Sequence, residues 1–405
     1  MPTFYERDQD RRLAQLGQRR KVQFVVTASK FCNLRCSYCY EFADLGDRTA
    51  MSHDQIEYMY RSLADYYRRL EWPVAIEFDW HGGEPLLNGA DFFWRTIDQQ
   101  TRIFDDPQVK VTNCVQTNLT VLDDPLVKLL HEGFDGVGVS IDLFASTRVN
   151  AGGRDLQPTV LRNMDRLREA GVPFGCITVL GRRNRPHLEK IFRFFADGGI
   201  SARILPMHRG IDDNQNAADQ LSEIELRDAF IELFEMWLAS PAPIIIEPIH
   251  TFTEDIVAAA RDSHSRTYYD KRSWEAVYIV NTDGDLFSYA DVFNAPMSHG
   301  NVFQSPISDI IGGPRHLRIV EAAERRMQMA CSGCQHWGRA CTGYPIAEES
   351  VGKRLDDGLS CVREKGVLDH IERRLRELDV IDAHGRLNRG SQYFPRFDPA
   401  LKMPA

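Results

Sequence analysis

The sequence predicts an α/β protein built on a parallel sheet, and three observations carry that expectation. Short β-rich runs recur six times between residues 21 and 240: Val22–Ala28, Val74–Trp80, Val109–Thr117, Gly136–Ile141, Pro173–Leu180 and Ala202–Met207. Segments of helical period follow them, at Asp54–Leu70, Ala90–Phe104, Asp124–Glu132, Pro158–Ala170, Pro186–Gly198 and Glu223–Leu238. The pattern then changes after Pro241. Repeated strand–helix alternation is the signature of parallel strands joined by crossover helices. Six units suit a doubly wound sheet or a partial barrel, and periodicity alone does not choose between them. In both, ligands collect beyond the C-terminal ends of the strands.

Each remaining stretch has its own signal. Asp8–Arg20 reads as a short helix before the first strand. Pro241-Ala242-Pro243 reads as a linker, Ile244–Ile246 as a short strand and Thr253–Arg261 as a helix. Ala276–Asn281 and Asp285–Ser288 flank Thr282-Asp283-Gly284, a hairpin turn by composition. Helices are expected at Pro314–Met329 and Val367–Leu378, and the tail from Asp382 is polar. The resulting division is an N-terminal helix (1–20), an α/β domain (21–240), a bridging region (241–272), a C-terminal domain (273–380) and a tail (381–405).

Composition narrows the function classes. The 405 residues are 43% hydrophobic and 26% charged, with a formal net charge of −9. That acidity argues against a nucleic-acid partner, since binding phosphates requires a basic face. No apolar run approaches the ~20 residues that span a membrane, and the polar first 20 residues lack a signal-peptide core. The expected location is therefore the cytoplasm, where nine cysteines do not form a disulfide framework. Seven of the nine fall in two groups, and clustered cysteines in such a chain read first as metal ligands. Cys114 and Cys176 stand alone in apolar stretches and read as small core residues.

The first group is Cys32-Asn-Leu-Arg-Cys36-Ser-Tyr-Cys39, directly after the first predicted strand. Three thiolates in one short loop can hold three corners of a [4Fe–4S] cubane and leave the fourth iron open to a small chelating ligand. Four-cysteine ligation closes the cluster. A zinc site needs a fourth Cys or His nearby, and the nearest histidine, His53, lies beyond a loop.

This C-x3-C-x2-C loop resembles that of the radical S-adenosylmethionine (SAM) superfamily, with Tyr38 as its usual aromatic. Further elements match in order. His81-Gly82-Gly83-Glu84-Pro85 follows the second strand, Gln116-Thr117-Asn118 ends the third, and Ser140-Ile141-Asp142 ends the fourth, with Leu143 where the family has Gly. The resemblance covers Val22 to about Leu378. It implies a partial (β/α)6 TIM-like barrel, a [4Fe–4S] cluster on Cys32, Cys36 and Cys39, and SAM contacts from Tyr38, Gly82, Gly83, Glu84, Ser140, Arg148 and Leu180.

The second group, Cys331, Cys334, Cys341 and Cys361, suits a closed zinc site or a full [4Fe–4S] cluster, and spacing does not separate the two. The arrangement resembles the SPASM/twitch extension of peptide-modifying radical SAM enzymes. A full SPASM domain has further cysteines. Here Ser288 or Tyr289, Ser305 and Tyr344 stand where they would be, so the resemblance implies one auxiliary cluster and two clusters in all. It further implies a 5′-deoxyadenosyl radical that abstracts hydrogen from a side chain of a ribosomally made precursor peptide, most simply closing a cyclophane-type C–C crosslink. Asp291 is the implied base. The competing readings are formylglycine formation in a sulfatase, peptide epimerisation, and a non-catalytic zinc or Fe–S scaffold. An external reductant of flavodoxin or ferredoxin type is also implied. About 20 residues precede the first strand, too few for a leader-binding domain, so a separate leader-binding protein or the C-terminal region is expected to recognise the leader of a peptide substrate.

Overall fold

The computed structural model describes residues 19–207, 217–262, 264, 266–289, 294–348 and 361–397. Its strands are β1 (Arg20–Thr27), β2 (Val74–His81), β3 (Val109–Thr117), β4 (Gly136–Ser140), β5 (Gly175–Leu180), β6 (Ala202–Pro206), β7 (Ile246–Glu247), β8 (Val277–Val280), β9 (Asp285–Ser288) and β10 (Gly300–Asn301). The helices are α1 (His53–Arg68), α2 (Ala90–Ile103), α3 (Asp124–Glu132), α4 (Gln157–Glu169), α5 (Leu188–Asp197), α6 (Glu223–Ala239), α7 (Ile249–Arg261), α8 (Ile307–Ile310), α9 (Pro314–Cys331), α10 (Tyr344–Ala347) and α11 (Val362–Glu377). All six expected strands of the α/β region are present. The expected helix at Asp8–Arg20 lies largely outside the described residues.

The chain packs as two compact units interleaved in sequence. The first comprises the described parts of Met1–Ile141, Ser146–Phe174 and Asp270–Ala322; the second, those of Asp142–Ala145, Gly175–Tyr269 and Ala323–Ala405.

In the first unit the strand order is β10-β9-β8-β1-β2-β3-β4. Strands β1 to β4 lie parallel and in chain order, Thr27 opposite His81 and Trp80 opposite Val115. Sequential order without reversal is the winding of a barrel wall, not of a doubly wound sheet. Local chemistry starts the helices between them. Ser52 and Gln55 form a reciprocal capping box at α1, and Asp123 accepts from the Leu126 amide at α3, satisfying backbone donors that the first turn leaves without partners. Helix α1 buries Ile56, Met59, Tyr60, Leu63 and Tyr67, one face at helical spacing. In β2, Val74, Ile76, Phe78 and Trp80 are all fully buried. Phe24 of β1 stacks between Phe78 and Tyr278, at centroid distances of 5.9 and 5.4 Å. This aromatic row runs across β8, β1 and β2 and anchors the hairpin strand to the barrel strands.

Behind that hairpin lies a buried polar network. The Lys271 ammonium is 2.7 Å from the Glu275 carboxylate, and His316 Nε2 is 3.0 Å from its other oxygen. The Ser288 hydroxyl donates to Glu275 and lies 3.0 Å from His299 Nε2. All five side chains are at most 3% exposed. The Gly312 amide donates to His316 Nδ1, which leaves Nε2 as that ring's donor to Glu275.

In the second unit β5, β6 and β7 pair in parallel. Helix α6 begins with a capping box between Ser222 and Glu225. Glu235 on α6 meets His370 and Arg374 on α11, at 2.6 and 2.8 Å. Among the differences from expectation are two helix starts and one strand. Helix α11 begins at Val362, five residues early, because Cys361 is its N-cap and the polar first turn hides its period. Helix α7 begins at Ile249, directly after Pro248. The two-residue β10 has no sequence signal at that length. No described helix is long and apolar enough to cross a membrane.

The buried network yields two expectations. Glu275→Ala leaves an ammonium buried without its carboxylate and should destabilise the fold by about 3–5 kcal/mol, read as a lowered denaturant midpoint of the apo-protein. Burial holds the His299 imidazole down at about 4, against 6.5 for a free histidine. The unfolded chain therefore takes up a proton at pH values where the folded chain does not, and His299 loses stability as pH falls from 6.5 towards 4. The stability difference between wild type and His299→Gln should change across that window and stay constant above pH 7; a difference independent of pH would refute the assignment.

Candidate functional site

The cysteine loop is built by backbone contacts on three sides. Strand β1 ends at Thr27, and the chain continues into residues 28–31. The Cys32 amide donates to Leu45 O at 3.1 Å, while the Arg35 and Ser37 amides donate to Val149 and Thr147 carbonyls at 2.6 and 3.1 Å. On the third side runs the Gly82-Gly83-Glu84 turn that leaves β2. The Gly83 amide donates to Ser29 O at 3.1 Å and the Glu84 amide to Phe31 O at 2.9 Å. A Cβ at Gly83 would stand 2.3 Å from the Lys30 and Phe31 carbonyl oxygens, and one at Gly82, where φ is +107°, would stand 2.7 Å from Ser29 O. Only glycine fits where two backbones approach this closely.

Glu84 is 1% exposed, and its carboxylate ties the turn to the end of β3. It accepts from the Thr117 hydroxyl at 2.7 Å, the Asn118 amide at 2.7 Å and the Leu86 amide at 3.0 Å. Burial pushes the carboxyl up from its ordinary range, while these bonds and nearby Arg148 act in the opposite direction. A charged acceptor with three donors leaves one oxygen with spare capacity. Asn118, in turn, points its amide at Cys32 Sγ, 3.7 Å away, and at Asn33 Oδ1, 3.0 Å away.

The structure brings Cys32, Cys36 and Cys39 into one apolar cluster with Leu34, Leu45, Tyr38 and Leu156. None of the three cysteines forms a disulfide. Burial pushes Cys32 up to about 11 and Cys39 up to about 12, with neighbouring thiols adding to the shift. A metal that binds them displaces protons. The Leu34 amide is 3.4 Å from Cys32 Sγ, a donor suited to an anionic sulfur. Arg148 donates to the Tyr38 hydroxyl at 2.7 Å, and Gln116 donates to the Ser140 hydroxyl at 2.7 Å. Side-chain atoms of Ser37, Glu41, His81 and Thr147 are buried here without a hydrogen-bond partner. Such atoms are rare in a native interior unless a ligand or water meets them. Burial and the Arg148 charge hold the His81 imidazole down at about 4, so it is neutral at pH 7. The thiols, sulfur donors and orphaned polar atoms fit an iron–sulfur cluster with a polar chelate beside it.

Sequence reasoning gave no role to Thr117, which bonds Glu84, or to Asn33, which accepts from Asn118. Leu180 is fully buried at the end of β5, in the second unit. Asp291 lies outside the described residues.

The second cysteine group lies wholly in the second unit. Cys331 ends α9 and Cys361 caps α11. The Cys334 amide donates to Cys331 O at 2.8 Å, and the Gly343 amide is 3.4 Å from Cys341 Sγ. Cys331 and Cys361 pack with Met327, Ile346 and Trp337. Burial and the other thiols push Cys331 up to about 11, and burial and Glu364 push Cys361 higher still. Free thiols packed together with an amide donor to sulfur also fit a cluster. Among the described residues, no three Cys, His, Asp or Glu side chains are arranged to hold a single metal ion. Where a further cysteine would stand, Tyr344 packs edge-on against Tyr269 at 5.0 Å, and Ser288 belongs to the Glu275 network.

Comparisons with known proteins meet this geometry. Residues 26–195 match the family model of the radical SAM superfamily. The cysteine-type anaerobic sulfatase-maturating enzyme of Clostridium perfringens (strain 13) is 29% identical over 182 residues, 43% of this chain and 48% of that protein. The serine-type enzyme of Klebsiella aerogenes is 30% identical over 165 residues, 40% of each chain. The matches thus span about half the length or less of these relatives. Among solved structures, anSMEcpe with bound AdoMet has a TM-score of 0.67 at 18% identity, covering 88% of this chain and 98% of that one. Streptococcus suis SuiB bound to its precursor peptide SuiA has a TM-score of 0.54 at 14% identity, covering 78% of this chain and 70% of that one. Residues 26–195 thus form a radical SAM domain, and around them the chain shares the fold of these solved enzymes.

Proposed function

We propose that the protein is a radical SAM enzyme that modifies a side chain of a peptide or protein substrate. The observation that carries this is the clamped loop of Cys32, Cys36 and Cys39, fixed by Gly83 and Glu84 and set beside the Tyr38–Arg148 pair. When bound there, a [4Fe–4S] cluster and SAM supply the one-electron cleavage that makes an unactivated C–H bond reactive. The chain's own groups then position and shield. Cys32, Cys36 and Cys39 would hold the cluster. The spare capacity of Glu84 and the Gly82–Gly83 backbone would receive the SAM amino group. Arg148, oriented by Tyr38, would receive its carboxylate. Ser140, fixed by Gln116, would take the nucleoside end. Exclusion of water by the buried surroundings protects a reactive intermediate. Cys331, Cys334, Cys341 and Cys361 would hold an auxiliary cluster, which would supply an electron acceptor. Asp291 takes the accompanying proton. An external reductant of flavodoxin or ferredoxin type delivers the initiating electron.

Two substrate outcomes follow from this chemistry. Loss of a hydrogen atom, an electron and a proton from a precursor peptide closes a side-chain crosslink; Ser288, Ser305 and Tyr344 in place of further cysteines support this over three-cluster maturases. The same losses from a Ser side chain give formylglycine, and from a Cys side chain a thioaldehyde that water converts to formylglycine with release of hydrogen sulfide; the resemblance to sulfatase-maturating enzymes at 29–30% identity supports this outcome equally.

Anaerobic reconstitution should give about eight irons per chain and dithionite-dependent 5′-deoxyadenosine. Cys32→Ala should abolish the cleavage and remove about four irons; zinc in place of iron with no cleavage would sink the proposal. The outcomes separate by mass spectrometry of peptide products. A formylglycine product reacts with a hydrazide, whereas a crosslinked product has lost two hydrogens, does not react, and yields fused fragments.

A further inference from the structure

We infer that His336 is the positioning residue that assembles the second cysteine group, by tethering its loop to the helix that carries Cys361. This rests on the proposal that this group holds a cluster. His336 is 1% exposed and joins three parts of the ligand set. It follows Cys334 by two residues. Its carbonyl accepts from the Cys341 amide at 3.0 Å and from the Arg339 amide at 2.9 Å, which folds the Cys334–Cys341 loop back on itself. Its Nε2 lies 2.7 Å from Asp369 Oδ1. Asp369 stands two turns along α11 from Cys361, the cap of that helix.

Asp369 is the acceptor on which the arrangement converges. The Gln335 amide donates to Oδ1 at 2.8 Å, and the Lys365 ammonium donates to Oδ2 at 2.8 Å. Two consecutive loop residues thus grip one carboxylate of the helix. A buried imidazole that donates to a carboxylate has one tautomer and one orientation. Its backbone is fixed with it, and so is the Cys341 amide bonded to that backbone. Groups that orient metal ligands in this way are worth about 10–100-fold in metal retention.

The test uses the full chain carrying Cys32→Ala, in which bound iron reports the second group alone. After anaerobic reconstitution, iron release to a ferrous chelator is followed with time, and folding is checked by circular dichroism. His336→Ala and Asp369→Ala should release iron roughly tenfold faster than the parent. His336→Gln, whose amide can donate at the position of Nε2, and Asp369→Asn, which keeps the acceptor, should release it at close to the parent rate. Release from His336→Ala at the parent rate overturns the inference, as does equal acceleration in His336→Gln and His336→Ala. A Cys32→Ala parent that binds no iron fails differently. It removes the auxiliary cluster itself, and the inference with it.

Discussion

The site depends on one close approach of two backbones. The turn after β2 passes within hydrogen-bonding distance of residues 29–31, and the Gly83 and Glu84 amides spend their donors on that segment. No side chain fits between them. Glu84 completes the arrangement by reaching across to the start of the loop after β3, at Thr117 and Asn118. Burying a carboxylate is expensive unless its lone pairs are met. Here three donors meet it, so the residue acts as a brace between consecutive strand ends. The position of Cys32 follows from that brace, because Asn118 and Phe31, its neighbours in space and sequence, are both held by it.

The Glu275 network has the same logic at the other edge of the first unit. Strands β8 and β9 extend the sheet past β1, and a helix and two loops converge behind them. An apolar filling would also be stable there. The chain uses Lys271, Glu275, Ser288, His299 and His316, which satisfy one another almost completely. Ser288, which with Tyr289 is one of the two residues where the SPASM resemblance would place a cysteine, is committed to this network. Its oxygen is already the donor to Glu275 and the neighbour of His299.

Sequence reading recovered what short spacing and strong periodicity encode. The strand–helix alternation is written in residue order, and so are the cysteine triad and the glycine pair, because each acts within a few residues of itself. The brace is different. Glu84 and Asn118 are 34 positions apart, and nothing in either neighbourhood marks them as partners; only the parallel register of β2 and β3 brings them together. The Glu275 network spans Lys271 to His316 and has no period. His336 and Asp369 sit in different elements. The start of α11 was hidden for a local reason: its first turn is Val362-Arg363-Glu364-Lys365, whose polar residues pair with one another and with α6 and show no apolar stripe.

The two thiol groups also differ in how the chain holds them, with a chemical consequence. The first sits in a loop whose carbonyls and amides are bonded to three other segments, so the sheet sets its geometry before any ligand arrives. Burial opposes the thiolates here too; Glu84 works against that of Cys32, with Arg148 a smaller effect in its favour, and Glu41 works against that of Cys39. The second hangs from the ends of two helices. Cys361 at the start of α11 lies at the favourable end of that helix dipole, while Cys331, at the end of α9, lies at the unfavourable one. Glu364, 3.6 Å from Cys361 Sγ, works against its ionisation. Helix ends move with their helices, and charge here opposes the thiolate form that metal binding needs. Such a set gains from a tether between its loop and its helix, and the Gln335, His336 and Asp369 contacts supply that tether.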